Sequence, residues 1–109
     1  MMFDSVVSSP GRLRILTALA HQSSRPFVEL RRATGLTDGN LTTHARRLQS
    51  AGFVSIHKSI EAGKPLTTLQ ITRDGRDALQ AHARSLIAAL EPATVPSSAA
   101  QEQQDEWVD

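Results

Sequence analysis

The sequence predicts a mostly α-helical fold that contains a small β-hairpin and ends in a long helix. Apolar residues recur at the spacing of one helical face through residues 41–48. After Gly52 they alternate at every second position, as in strands, through residues 53–58 and 67–72. A helical period then returns and continues to Leu90. The hairpin is therefore expected to lie between two helical regions.

Length and composition indicate one small domain without cysteine chemistry. The chain has 109 residues and no cysteine, so disulfides, thiolate metal sites and thiol redox sensing are excluded. No apolar run approaches the roughly 18 residues of a membrane span, and the first residues lack the pattern of a signal peptide. We therefore expect a cytoplasmic protein that makes no membrane contact.

Charge is distributed unevenly along the chain. The formal net charge is only +1. Residues 1–90 hold all twelve Lys and Arg residues but only six acids, which gives +6, whereas residues 91–109 hold five acids and no base. A basic body with an acidic tail indicates a polyanionic partner more strongly than the total charge does.

The first two helices form one half of a recognisable pattern. One helix is predicted over residues 10–21, and after a polar turn Pro26 opens a second helix that ends at Gly35. Arg31 and Arg32 on the outer side of the second helix either contact phosphates or remain solvated. Two short helices joined through a tight turn with glycine are typical of a helix-turn-helix.

The third helix is predicted to follow Thr37, whose hydroxyl can cap it, and to end at Gly52. Its exposed side carries small polar residues, then two arginines, and no acid beyond the first turn. Such a side suits a helix that enters a DNA major groove, although a solvated surface helix has a similar pattern. The predicted DNA-binding residues of this recognition helix are Thr37, Gly39, Asn40, Thr42, Thr43, Arg46 and Arg47.

The two alternating segments are predicted to pair as a hairpin with a fairly long tip over residues 59–66. A hairpin that follows a helix-turn-helix forms a wing, so the predicted fold is a winged helix-turn-helix. Lys58 and Lys64 lie where a wing meets the DNA backbone or the minor groove. Because of this position, we predict that both lysines bind DNA.

The last helix is predicted over residues 73–90 with Thr72 as its cap, and a helix of about 30 Å outreaches so small a body. The first helix also has a broader apolar face than one core needs. We therefore expect both helices to contact a second copy of the chain; packing within one chain is the alternative. The predicted dimerisation residues are Leu13, Leu16, Leu86, Ile87 and Leu90.

Residues 1–90 are thus expected to form the DNA-binding domain with its dimerisation helix, and residues 91–109 a separate tail. The tail is rich in Pro, Ser, Gln and acids, so it cannot bury enough apolar surface to order itself and is predicted to be disordered. Trp107-Val108 is the exception to this composition. This pair is either a docking anchor or an incidental terminal aromatic.

Several motifs between Asp4 and Leu79 are shared with a known family. They are Arg12-Leu13-Arg14-Ile15-Leu16, Leu36-Thr37-Asp38-Gly39-Asn40-Leu41, His44, Leu48, Ala51-Gly52-Phe53-Val54, Lys58, Gly63-Lys64-Pro65 and Thr72-Arg73-Asp74-Gly75-Arg76. Through them the sequence resembles the small winged-helix transcriptional regulators of the MarR/ArsR superfamily. Ala45 departs from the larger apolar residue that is usual in the family, which predicts a less firmly seated third helix.

The resemblance implies a sequence-specific transcriptional regulator that binds double-stranded DNA. It also implies a homodimer whose two recognition helices enter successive major grooves of a pseudo-palindromic operator. The simplest mode of action is that of a repressor that occludes a promoter. The alternative is a winged helix used for protein interaction without specific DNA binding, but the basic residues of the third helix and the hairpin favour DNA.

No cofactor and no enzymatic activity are expected. The four histidines are dispersed, with no pair at i, i+4, so a metal site is not indicated; His44 is expected to pack or cap. The sequence contains no nucleophile and base in a catalytic arrangement and no glycine-rich phosphate loop. An unknown small-molecule effector is compatible with the fold, although so short a chain leaves little room for a deep pocket.

Overall fold

The computed structural model describes residues 4–91, so nearly all of the predicted acidic tail, with Trp107-Val108, lies outside the described residues. Four helices and three strands follow one another along these residues. They are α1 (Pro10–His21), β1 (Ser24–Pro26), α2 (Phe27–Thr34), α3 (Asp38–Ser50), β2 (Val54–Glu61), β3 (Lys64–Ile71) and α4 (Arg73–Leu90). This arrangement is a winged helix, as predicted.

Hydrogen-bonding side chains fix the starts of α3 and α4 where the sequence places them. The Thr37 hydroxyl accepts the backbone N–H of Asn40 at 3.2 Å. The Thr72 hydroxyl accepts the N–H of Gly75 at 3.0 Å and donates to the carbonyl oxygen of Gly52 at 2.6 Å. Both residues satisfy donors that a helix start leaves without partners. Thr72 in addition ties the start of α4 to the chain that leaves α3.

The sheet has three antiparallel strands in the order β1-β3-β2. The sequence predicted only the hairpin and assigned residues 22–25 to a turn, which is wrong in part because Ser24–Pro26 pairs with β3. Helix α2 consequently begins at Phe27 rather than at Pro26. Proline is tolerated in β1 because this is an edge strand, where a missing N–H breaks no ladder.

The tip of the hairpin is much shorter than predicted. Strand pairing continues to Glu61 opposite Lys64, which leaves only Ala62 and Gly63 in the turn. Their φ angles are 52° and 74°, and positive φ at both central residues is typical of the type I′ turn that matches strand twist. The long tip predicted over residues 59–66 is therefore wrong, because both strands extend into it.

Three helices and the sheet enclose one apolar core. Its buried members are Val7, Ile15, Leu16, Leu19, Leu30, Leu41, Ala45, Leu48, Val54, Leu69 and Ile71. Ala45 is almost fully buried, so this position belongs to the core; that the smaller residue seats α3 less firmly stays a prediction. Leu16 has no exposed surface and cannot reach a second chain; its assignment to the dimer interface is corrected here to a core position.

Helix α4 packs on the body through its first half only. Gly75 and His82 are buried, whereas Ile87 and Leu90 are 61% and 80% exposed and Leu86 is 39% exposed. The end of α4 thus carries apolar surface that the described part of the chain does not cover. Within residues 4–91 no helix is both long and apolar enough to cross a membrane.

Candidate nucleic-acid interface

Helix α3 turns a continuous polar side outward. Leu41, Ala45 and Leu48 are buried against the core, so the residues on the far side of the helix face solvent. The exposed members, which we name the recognition face, are Gly39, Asn40, Thr43, Arg46 and Arg47. Thr42 is half-buried at the margin of this face, and Thr37 caps the helix. All seven residues predicted for this helix thus lie on or beside one surface.

The two arginines of the recognition face lie at its opposite margins. Consecutive helical residues project about 100° apart, so Arg46 and Arg47 diverge. Arg46 lies on the side of Thr42, towards the hairpin, and Arg47 lies on the side of His44, towards the start of α1. A ligand that lies across the face can therefore meet a guanidinium at each margin.

A groove of about 850 Å³ separates α3 from the hairpin, and we name it the hairpin groove. Arg46 borders it from α3 and Lys58 borders it from β2. Lys58 pairs with Thr67 and lies two residues from Ile56, so it lies on the face of the sheet that looks towards the helices. The fold therefore brings two of the predicted DNA-binding cations together.

Lys64 is placed elsewhere. It pairs with Glu61 next to the turn, one position out of phase with the pair formed by Ile60 and Pro65. Because successive residues of a strand point to opposite faces, Lys64 lies on the face of the hairpin opposite to Lys58. The two lysines of the predicted wing thus lie on opposite faces of the hairpin. The cross-strand neighbour of Lys64 is the acid Glu61.

On the other flank of α3, His44 packs against the start of α1. Its Nδ1 lies 3.4 Å from a terminal nitrogen of Arg12, and a Cβ added at Gly11 would lie 2.5 Å from its Nε2. Burial lowers the pKa of His44 below 6.5, and the positive charge of Arg12 lowers it further. The prediction of a packing histidine is confirmed, and the close contact explains why residue 11 has no side chain.

The turn between α2 and α3 is held by backbone and charge. Gly35 adopts a φ of 72° at the end of α2, a conformation that glycine reaches without steric cost. Arg31 forms an ion pair with Asp38 at 2.8 Å across the turn. Of the two arginines considered for phosphate contact, Arg31 is thus engaged within the helix-turn-helix itself.

Comparison with known proteins identifies this geometry. The family model described as winged helix DNA-binding domain matches residues 12–90. The chain belongs to this family. The match runs from the first helix to the end of α4, so this winged helix protein carries the family pattern over all of its helices and its hairpin.

Relatives of this winged helix protein agree with that assignment. A protein of uncharacterised function from Methanocaldococcus jannaschii is 38% identical over 79 residues, which are 72% of this chain and 82% of the relative. A transcriptional regulator homologue from Pyrococcus horikoshii OT3 superposes with a TM-score of 0.73 at 33% identity, covering 78% of this chain and 84% of its own. A MarR-family transcriptional regulator from Silicibacter pomeroyi gives 0.57 at 17% identity, over 81% and 63% of the two chains, and shows the shared fold.

The hairpin groove also contains residues that were not predicted from the sequence. Gln49 and Ser50 border it from the last turn of α3, and Val28 borders it from α2. The helical period could have indicated Gln49, since it lies seven residues after Thr42 and so on the same side of α3. Val28 carries no such signal, because its position depends on how α2 packs beside the hairpin. Within residues 4–91 no group of three or more His, Cys, Asp or Glu residues could hold a metal ion.

Proposed function

We propose that this winged helix protein is a sequence-specific transcriptional regulator, a repressor that binds a pseudo-palindromic operator as a homodimer. The observation that carries the proposal is the recognition face of α3, with small polar residues first and two arginines after them. The only acid of α3, Asp38, is in the first turn and is paired with Arg31. The face therefore presents cations and uncharged donors to a polyanion.

Residue size along α3 supports entry of its first turns into a major groove. Gly39 has no neighbouring atom within 4 Å of where a Cβ would be, so a DNA backbone or base edge can approach the helix closely there. Asn40 and Thr43 can bond base edges or phosphates, and an arginine can bind guanine through two hydrogen bonds. Arg46 and Arg47 follow at the margins, where base edges and backbone are both within reach.

The hairpin supplies the proposed contacts to the flanking DNA. Lys58 borders the groove beside α3, and Lys64 lies near the tip on the opposite face. Phosphate contacts from such lysines add affinity without base specificity. They also make binding weaken steeply as salt concentration rises, because each neutralised phosphate releases a counterion.

The proposed homodimer uses the end of α4. Leu86, Ile87 and Leu90 form an exposed apolar stripe there, and Leu13 of α1 is half-buried against the core. In a symmetric dimer, the same stripe of the second copy commonly covers such a stripe. Two copies would then carry two recognition helices to adjacent turns of the DNA.

The proposal is tested by selection from a random double-stranded DNA library at two salt concentrations, with sequencing of the bound pool. We expect enrichment of an inverted repeat whose half-sites are about one helical turn apart, with weaker binding at the higher salt. Binding without an enriched motif would contradict sequence-specific regulation. Absence of binding at low salt would contradict DNA binding altogether and favour a protein-interaction role.

A further inference from the structure

The hairpin groove contains exposed apolar surface in addition to the cations that DNA phosphates would contact. Val28 is 46% exposed in it, and the side chain of Ile56 is only half-buried. Among the described residues that line the groove, two are cations, Arg46 and Lys58, and none is acidic. Phosphates would use the cations and leave the apolar surface in water. An occupant that uses all of the groove carries both negative charge and an apolar group.

One segment of this same chain has that chemistry. Residues 92–109 contain four acids and no base, whereas residues 4–91 carry twelve bases and seven acids. The segment Glu106-Trp107-Val108-Asp109 places two apolar residues, one of them the only tryptophan of the sequence, between two carboxylates. Large aromatic side chains are the usual anchors of such contacts, because they bury the most apolar surface.

The segment is also long enough to reach the groove. The hydroxyl of Thr72 bonds the carbonyl of Gly52, so α4 starts beside the end of α3, where Ser50 borders the groove. The 18 residues of α4 carry the chain about 27 Å away from that point. The fifteen residues 92–106 can span up to about 50 Å when extended, which covers the return.

We propose that residues 106–109 bind in the hairpin groove of their own subunit, with Trp107 on the apolar surface and the flanking carboxylates facing Arg46 and Lys58. The inference rests on the proposed function, because the same two cations are expected to contact DNA. Bound tail and bound DNA then exclude each other, and the tail lowers the apparent DNA affinity. If the tail occupies about 90% of the grooves, apparent affinity falls about tenfold.

Fluorescence of the full chain tests the docking without any DNA. Trp107 is the only tryptophan and the chain has no tyrosine, so its emission reports this one site. In about 50 mM salt we expect emission that is blue-shifted from that of the urea-unfolded chain. The shift should disappear in the Arg46→Glu/Lys58→Glu variant and persist in Arg73→Glu/Arg84→Glu, which makes the same charge change on α4. Native emission at the unfolded position, or equal loss in both variants, would overturn the proposal.

DNA titration of full-length variants then separates docking from simple repulsion by the acidic tail. We expect Trp107→Ala to bind a labelled duplex about tenfold more tightly than the native chain, although its charge is unchanged. Repulsion alone predicts tighter binding only for Glu102→Gln/Asp105→Asn/Glu106→Gln, and that result with unchanged binding by Trp107→Ala would overturn the proposal. A blue shift that appears only as protein concentration rises would reassign the segment to a second copy.

Failure of the proposed function gives a different result. If no variant binds duplex DNA at low salt while the emission of Trp107 still depends on Arg46 and Lys58, the docking stands and the regulator assignment falls. If duplex DNA binds with sequence preference while Trp107 emits at the unfolded position, the docking falls and the regulator assignment stands. The fluorescence readout and the DNA readout therefore decide the two proposals separately.

Discussion

His44 links α3 to the residues that precede α1 through Arg12. The guanidinium of Arg12 lies 3.4 Å from Nδ1 of His44, and it also donates to the carbonyl oxygens of Val6 at 2.6 Å and Ser5 at 3.3 Å. Residues that precede α1 are thereby tied to α3. Because the pKa of His44 is lowered by burial and then by Arg12, its neutral form suits this contact.

This linkage predicts that stability depends on pH. A histidine whose pKa is lower in the folded state takes up its proton more readily in the unfolded state. Its contribution to the free energy of unfolding is therefore complete above pH 6.5 and declines as pH falls through 6.5 towards the folded pKa. Urea unfolding at about pH 7.5 and 5.5 should show a smaller loss of stability in His44→Gln than in the native chain. An equal loss in both proteins would contradict the assignment.

Arg46 and Arg47 give the second prediction at this scale. We expect Arg46→Ala and Arg47→Ala each to weaken operator binding by about 1–3 kcal/mol if the residue reads a base, with relaxed specificity at that position. Arg84→Ala, on exposed α4, removes the same charge away from the recognition face and serves as the control. Fluorescence anisotropy with a labelled operator measures all three. Unchanged affinity in both α3 variants would contradict the recognition-helix assignment.

At the scale of elements, local signals predicted the helices and tertiary pairing decided the rest. Capping and turn residues such as Thr37, Thr72 and Gly35 act within one turn of the chain, so the sequence alone predicts where α3 and α4 begin and where α2 ends. Strand β1 has three residues, too few for an alternation to be visible. It forms because the backbone of β3 is available for pairing on that side. No local sequence pattern indicates this pairing.

The hairpin shows how tertiary strand pairing determines the side-chain directions at the candidate site. The Gly63-Lys64-Pro65 segment favours a loop in isolation, but pairing that starts from buried Val54 and Ile71 extends to the turn. The residue types of the wing were predicted, whereas their directions depend on tip length, since a shift of one residue changes the face of every side chain. Lys58 and Lys64 therefore lie on opposite faces because of the strand register, which composition and residue spacing do not reveal.

The turn itself predicts a stabilising substitution. Ala62 adopts a φ of 52°, a left-handed conformation that costs an alanine about 1 kcal/mol and that asparagine adopts more readily. Asn-Gly is also the preferred pair of a type I′ turn. We expect Ala62→Asn to raise the free energy of unfolding by about 0.5–1 kcal/mol, measured by urea denaturation. Ser59→Asn, three residues before Ala62 in β2, is the control; a gain of the same size there would contradict the turn argument.

The wing predicts a uniform effect on DNA binding. Lys64→Ala should weaken binding about equally on all sequences and reduce the slope of log affinity against log salt by about 1, because a phosphate contact carries no base information. Titrations of an operator and a scrambled duplex at several salt concentrations measure both quantities. A loss confined to the operator would count against a backbone contact by the wing.

At the scale of the molecule, charge and apolar surface are segregated. The recognition face carries two arginines and the hairpin two lysines, whereas the end of α4 carries exposed leucine and isoleucine. Apolar surface so far from the core contributes nothing to the stability of one copy of residues 4–91. In the proposed homodimer, the same surface of a second copy would cover it.

The dimer is therefore expected to depend on a residue that the single chain does not need. Leu90 is 80% exposed in the single chain, so Leu90→Glu should leave thermal unfolding unchanged at dilutions where both proteins are monomeric. In a symmetric dimer it removes two buried leucines, each worth about 1.5–3 kcal/mol, so dimer dissociation should become at least about 100-fold easier. Sedimentation velocity measures the change, and Ala88→Glu, which projects from the opposite side of α4, is the matched control. Loss of inverted-repeat binding with retained half-site binding should accompany dissociation of Leu90→Glu. If both variants sediment as the native chain does, the dimer does not use this stripe, and the spacing of the two recognition helices must be set elsewhere.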